Sequence, residues 1–558
     1  MTKVIPIGID DFRKIRENNF YYVDKTLMIK DFLDFKNEAS LITRPRRFGK
    51  TLNMTMLRDF FDINQDSSGI FEGINIMDTE YRDQINSRPV IYLTLKNCSG
   101  ATLGVMSLSL AKAIRDEYFK YESLFSKTVD ANSNDYIAFY DTYEMLRDIE
   151  SAANDNKSFN EDERRVSLLK SSLAELIKAV SIFYEKKTLL LIDEYDQPLI
   201  KAHEMDYRER FSKEVYGSFL GNALKGNICL EQALLTGIQR VAKESIFSEI
   251  NNFKVYTVID KKYSSCFGLA TAETKELLEY YDLELNEDVT TMYDGYSFSG
   301  VDIYNPWSIL NYADEKILTS YWINTSTNGL IRESVVAADV EFHRSFEKLI
   351  TNGSVTLRLS LDASFIELAK TETLWGLLVN AGYLTVTHVD YKLKLFTVRI
   401  PNEEIKGEFE LIVGDYTKLS SDMLQNMLVA LITVDMEEFL RIYRELVLSS
   451  TSYYDNRENA YHMLFLGMVM HLRDLYEITS NIESGHGRSD IMMKSNDSKR
   501  PHIIIEFKQG ADVEVLKHEA LNQILDKKYY AGLSGDVLCV GIAHDVKVCQ
   551  LISEIIHC

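Results

Sequence analysis

One stretch constrains this chain more than any other: EASLITRPRRFGKTLNMTMLRDFF, residues 38–61. Leu41-Ile42-Thr43 reads as a short strand, and the residues after Thr51 place apolar side chains at helical spacing. Strand, tight loop, Gly-Lys-Thr and helix is the arrangement of a phosphate-binding loop. Gly49 lets the backbone approach a phosphate, and the helix start offers free N–H donors. Arg47, Phe48 and Gly49 are therefore candidate nucleotide-binding positions, with Lys50 reaching the outer phosphates and Thr51 helping to hold Mg2+. Arg44 stands where the GxxxxGK[ST] pattern has its first glycine.

A phosphate loop needs a neighbouring acidic strand, and KKTLLLIDEYDQPLI supplies one. Its four aliphatic residues end in Asp193-Glu194, which places Asp193 near Mg2+ and Glu194 where an attacking water sits. LEQALLTG follows as a third strand; Thr236 at its end is a candidate γ-phosphate sensor. Arg240, just beyond, can reach a phosphate within the molecule or across a subunit interface. PVIYLTL and FKVYTVI complete five strands alternating with helices, which predicts a parallel sheet covered on both faces.

The second informative stretch is PHIIIEFKQG, residues 501–510. Three isoleucines read as a strand buried on both faces, yet Glu506 and Lys508 follow on one side of it. Buried charge is costly unless something holds it. Upstream, GRSDIMM reads as an adjacent antiparallel strand that brings Asp490 close to Glu506. Two converging carboxylates repel unless a divalent cation, Mg2+ or Mn2+, joins them. Lys508 on the same face can orient and help deprotonate a water, which completes the groups a metal-dependent phosphodiesterase needs.

The 558 residues suffice for about three domains. No apolar run approaches the ~20 residues of a membrane span. Six cysteines without CxxC spacing read as free thiols of a reducing compartment, so a cytoplasmic, non-membrane protein is expected. A net charge of −22 argues against a surface that coats nucleic acid non-specifically, but not against a local basic groove. From about Tyr263 the pattern is helical, then LWGLLVNAGYLTVTHVDYKLKLFTVRI reads as a helix and two strands: a winged-helix-like lid. Its wing lacks a dense Lys/Arg cluster, so packing against the nucleotide domain is favoured over DNA binding. Residues 411–450 read as a helical connector.

Together, IPIGIDDFRKIRENNFYYVDKTLMIKDFL, RPRRFGKT, LLIDEYDQPL, LTGIQRVAKESIFSEINN and YDGYSFSGVDIYNPWSIL resemble the bacterial AAA-ATPase-like family, over nearly the whole chain. That family's phosphate loop is similar to RPRRFGK[ST], so Arg44 matches it. The resemblance implies a C-terminal PD-(D/E)XK nuclease-like domain, whose Asp, Glu and Lys match Asp490, Glu506 and Lys508. It also implies Glu458 as a helix acid at the metal, Gln523 as a polar residue on the next helix, and less defined roles for Glu483 and Arg488. His486, between glycines, reads as a loop residue.

The expected architecture is α/β: a P-loop NTPase parallel sheet (1–262), a helical and winged-helix-like lid (263–410), a helical connector (411–450) and a restriction-endonuclease-like α/β domain (451–558). The expected activity is ATP binding and hydrolysis joined to metal-dependent cleavage of DNA or RNA, under nucleotide control, with a homo-oligomer as an option. The alternative is a nucleotide-regulated switch or scaffold whose nuclease-like domain does not cut.

Overall fold

The computed structural model describes residues 2–128, 133–149, 159–240, 253–322, 334–335, 338–361, 371–407, 421–450, 465, 468–472, 475–484, 487–545 and 548–558. The chain divides into two compact units: residues 1–335 with 356–404, and residues 336–355 with 405–558.

The first unit is built on β1 (Ala39–Thr43), β2 (Val90–Thr94), β3 (Thr188–Asp193), β4 (Leu230–Gly237) and β5 (Phe253–Tyr256), in the order β2-β3-β4-β1-β5. All four pairings are parallel, as the alternation of strands and helices predicts. Every residue of β1 and β3 is buried; in β3 this matches the four consecutive aliphatic residues Leu189–Ile192, whereas β1 also buries Ser40 and Thr43. Leu41, Ile91, Leu93, Leu190 and Ile192 share one core with residues of α2 (Leu103–Thr128) and α3 (Glu163–Tyr184). The helix after the phosphate loop, Lys50–Phe61 (α1), contacts β3. It begins at Gly49, whose φ of 83° is left-handed and suits glycine, and it buries Met54, Leu57, Phe60 and Phe61.

Further along this unit, strands Tyr296–Phe298 and Val301–Tyr304 form a hairpin, and helix Pro306–Glu315 starts where Asn305 caps the Trp307 N–H and proline occupies the first turn. Helix Thr371–Ala381 precedes a second hairpin, Thr385–Asp390 with Leu395–Arg399, so the expected helix and two strands are present.

The second unit holds β6 (Tyr476–Ser484), β7 (Gly487–Ser495), β8 (His502–Gln509), β9 (Asp536–Asp545) and β10 (Val548–His557), in sequence order across the sheet. The sheet is mixed: only β8 and β9 are parallel, and they are linked through α4 (Val513–Lys527). Alternation along β8 divides its side chains. Ile503, Ile505 and Phe507 enter one core with Phe439, Tyr443 and Phe465, whereas Ile504 packs with Leu521 and Ile524 of α4. Burial of each isoleucine contributes roughly 1.5–3 kcal/mol. Glu506 shares the α4 side of the strand, because it lies two residues from Ile504. Among the described residues, no helix is long and apolar enough to cross a membrane.

Candidate functional site

The carboxyl ends of β1, β3 and β4 carry the first cluster. Asp193, fully buried, accepts hydrogen bonds from the Thr51 hydroxyl (2.6 Å) and the Thr236 hydroxyl (2.6 Å). Three residues from separate parts of the sequence thus meet at one carboxylate. Lys50 Nζ donates to the carbonyls of Arg44 (3.0 Å) and Pro45 (2.8 Å), which fixes it beneath its own loop. Burial lowers the Lys50 pKa, against the attraction of Glu194, Asp193 and Asp196. Glu194 takes a left-handed φ of 53° directly after the strand, and burial raises its pKa. The turn is held by Tyr195 N donating to the Thr236 carbonyl (3.0 Å) and by Asp196, which accepts from Ile238 N and Gln239 N (2.9 Å each). Asp196 was not singled out from the sequence; the third acid in DEYD was its signal.

Other loop residues point elsewhere. Arg44 is fully buried and donates to the carbonyls of Thr43 (2.8 Å), Tyr256 (3.2 Å) and Tyr263 (3.1 Å), with Phe267 and Phe298 against its guanidinium. Burial pushes its pKa down to about 10. Arg44 therefore ties the end of β1 to β5 and the segment beyond. Phe48 is buried against Tyr296 and Phe298, and its carbonyl accepts from Gly268 N. The Arg47 guanidinium lies 4.2 Å from the centre of the Trp307 ring and donates to the Tyr321 carbonyl (3.3 Å). Phe48 thus lines the loop with backbone alone, and the Arg47 side chain is held by the segment that follows the sheet. Arg240 lies just past β4, with Gln239 between it and Ile238.

The second cluster sits where the β7–β8 ladder opens. The last paired residues are Ile491 and Ile505; one step on, Asp490 and Glu506 face each other. Here side chains take the backbone donors: Asp490 Oδ2 accepts from Phe507 N (2.7 Å), and Glu506 Oε2 accepts from Asp490 N (3.3 Å). Lys508 Nζ is 3.3 Å from Glu506 Oε1, and Gln523 of α4 donates to that same oxygen. Gln523 Nε2 also reaches the Tyr529 hydroxyl (3.1 Å). Burial, then the charge of Asp490, pushes the Glu506 pKa up to about 7, while Lys508 opposes the shift. A buried carboxylate, Glu506, facing a partly buried one, Asp490, with Lys508 beside them is a donor set a hard divalent cation satisfies, so the residues fit such an ion.

Glu458 and His486 lie outside the described residues. Glu483 and Arg488 are register partners near the end of the β6–β7 ladder. His544 is on the other side of the sheet from Glu506, 3.0 Å from the Tyr443 hydroxyl and stacked on Phe507; burial lowers its pKa to about 3, which keeps the ring neutral.

Both clusters lie within stretches that match known families. Residues 6–247 match the family described as "Predicted AAA-ATPase", and residues 456–554 match the PD-(D/E)XK nuclease superfamily. A protein of Azotobacter chroococcum mcd 1, named for its position in the vnfD 5′ region and called uncharacterized, is 25% identical over 550 residues, covering 94% of this chain and 93% of that relative. The chain joins a predicted AAA-ATPase-like domain to a C-terminal domain of the PD-(D/E)XK nuclease superfamily.

Proposed function

We propose that the protein is an ATP-hydrolysing, metal-dependent nuclease whose phosphodiester cleavage is governed by nucleotide. The observation that carries the cleavage reading is the Asp490–Glu506 pair at the open end of a core ladder, with Lys508 on the same face. Asp490 and Glu506, joined by Glu458, are the residues to hold Mg2+ or Mn2+. Such an ion, when bound, polarises a phosphate and lowers the pKa of a water. Lys508 supplies positive charge to the phosphate oxygens and orients the attacking water. Gln523 fixes the Glu506 carboxylate, so the acceptor oxygens keep their direction. A nuclease-type domain implies a nucleic acid substrate.

In the ATPase part, Lys50 neutralises the outer phosphates, and Thr51 and Asp193 are the residues to hold Mg2+. Glu194 orients the hydrolytic water, Thr236 senses the γ-phosphate through its bond to Asp193, and Arg240 reaches the phosphate from beyond β4. The helix and hairpin of residues 371–399 act as a lid on this domain.

The test is cleavage of plasmid DNA and structured RNA by the purified chain with Mg2+ or Mn2+, with and without ATP, beside Lys508→Ala and Lys50→Ala. Lys508→Ala should lower cleavage by about 100-fold or more. Lys50→Ala should retain cleavage but lose its response to ATP. Absence of cleavage in every lane would overturn the nuclease reading, and cleavage indifferent to ATP would overturn the control.

A further inference from the structure

The YDGYSF and YNPWS segments have no role in the chemistry above, yet they hold the phosphate loop. The Tyr321 carbonyl accepts from both Arg47 (3.3 Å) and the Trp307 indole N–H (2.9 Å). The Tyr321 and Trp322 N–H groups donate to Glu404 Oε1 (2.7 and 2.9 Å), and the Ser308 hydroxyl donates to Glu404 Oε2 (2.8 Å). Glu404 is a carboxylate with 1% exposure, so these three bonds tie Tyr321 and Trp322 to the helix bearing Trp307. Its charge also favours the Arg47 cation, the main attraction opposing the cost of that side chain's burial. Residues 399–404 are docked beside it: Arg399 donates to the carbonyls of Pro401 (2.9 Å) and Gly295 (3.0 Å), and a Cβ on Gly295 would lie 1.9 Å from the Pro401 oxygen.

Arg47 itself is held weakly. Among the described residues it has one long hydrogen bond and one cation–π contact, and it is half-buried, two residues before Gly49. A nucleotide phosphate offers a guanidinium a bidentate, charge-assisted pair, which is the stronger partner. We propose that Arg47 is a nucleotide-sensing latch: it rests on Trp307 and the Tyr321 carbonyl, and it transfers to a phosphate of a bound nucleoside triphosphate. The inference rests on the reading that the loop takes such a nucleotide. Transfer removes one of the two donors from the Tyr321 carbonyl and takes away a cation that the charge of Glu404 attracts. Glu404 is the last residue of the first unit before the chain enters the second at Ile405.

The test uses the full chain with MgATP. Its three tryptophans are Trp307, Trp322 and Trp375. Wild type should show a saturable change in tryptophan emission that follows ATP binding measured by calorimetry, and Trp307→Phe should lose that change. Trp307→Leu should bind ATP about fivefold more tightly, because Arg47 no longer leaves an aromatic face. Trp307→Phe, which keeps a poorer cation acceptor, should tighten binding less. A merely structural tryptophan would instead weaken binding when replaced. ATP binding without an emission change, or affinity that is unchanged or weaker in both variants, overturns the latch. No ATP binding by wild type overturns the nucleotide reading with it. An intact latch with ATP-indifferent cleavage leaves the latch standing and removes only the control of the nuclease.

Discussion

Glu506 shows how a single residue carries information about function. At 2% exposure, a carboxylate in a β-strand is an expensive placement unless its charge is used. Its pKa of about 7, against 4.5 for an ordinary glutamate, links folding to pH in a definite direction. Between those two values the folded chain keeps a proton that the unfolded chain has lost. This group's contribution to stability is therefore fully present at low pH and is lost as pH rises from about 4.5 to about 7. A bound Mg2+ selects the deprotonated form, so its stabilising effect should appear above that window and vanish below it. Thermal unfolding at about pH 5 and about pH 8, with and without Mg2+, measures both slopes. Glu506→Gln should flatten the pH dependence and abolish the Mg2+ effect. A Mg2+ effect of equal size in Glu506→Gln would mean that the ion binds elsewhere. The residue was legible in the sequence because a charge after three isoleucines breaks the pattern. Arg44 was not legible as a structural residue: the carbonyls that bury it belong to Tyr256 and Tyr263, more than 200 positions away.

At the scale of elements, α4 is what turns β8 into a site. Gly541 of β9 is the register partner of Glu506, and a Cβ there would lie 2.5 Å from the Lys517 carbonyl and 2.6 Å from Leu521 N. The helix backbone rests directly on the strand at this glycine, one turn before Gln523 reaches Glu506. Gly541→Ala should lift α4 from the sheet, cost about 1–3 kcal/mol in denaturant unfolding, and reduce cleavage further than that loss of stability explains. Overpacking that cost stability but left turnover by the folded fraction at the wild-type rate would show that Gln523 does not position Glu506. The strands themselves were readable because β3 and β8 contain uninterrupted aliphatic stretches, Leu189–Ile192 and Ile503–Ile505, and because the order of strand, loop and helix after β1 marks a parallel sheet. The close approach at Gly541 was not readable. A glycine inside LCVGIAHD does not say which backbone stands above it.

At the scale of the whole molecule, the two units are interleaved along the chain. Residues 336–355 belong with 405–558, and residues 356–404 return to the first unit. A division of the sequence into successive ranges cannot express that exchange, since it depends on contacts between distant segments. It has an energetic consequence for the nuclease unit. Helix Val340–Asn352 contacts β6, and its Phe342, Phe346 and Leu349 are buried. Three such side chains contribute roughly 5 kcal/mol of apolar burial, which is comparable to the full stability of many domains. A fragment of residues 405–558 should therefore unfold at a markedly lower temperature than the same fragment fused to residues 336–355. Calorimetry of the two fragments decides this. Equal midpoints would mean that the helix is an accessory of the nuclease unit, and the second unit would then be continuous in sequence. A gain from the fused segment would instead mean that the nuclease fold is completed by a segment lying between two stretches of the ATPase unit. The connection between the two activities would then be a property of the covalent chain itself, because the nuclease could not be released from the ATPase by cutting at a single linker.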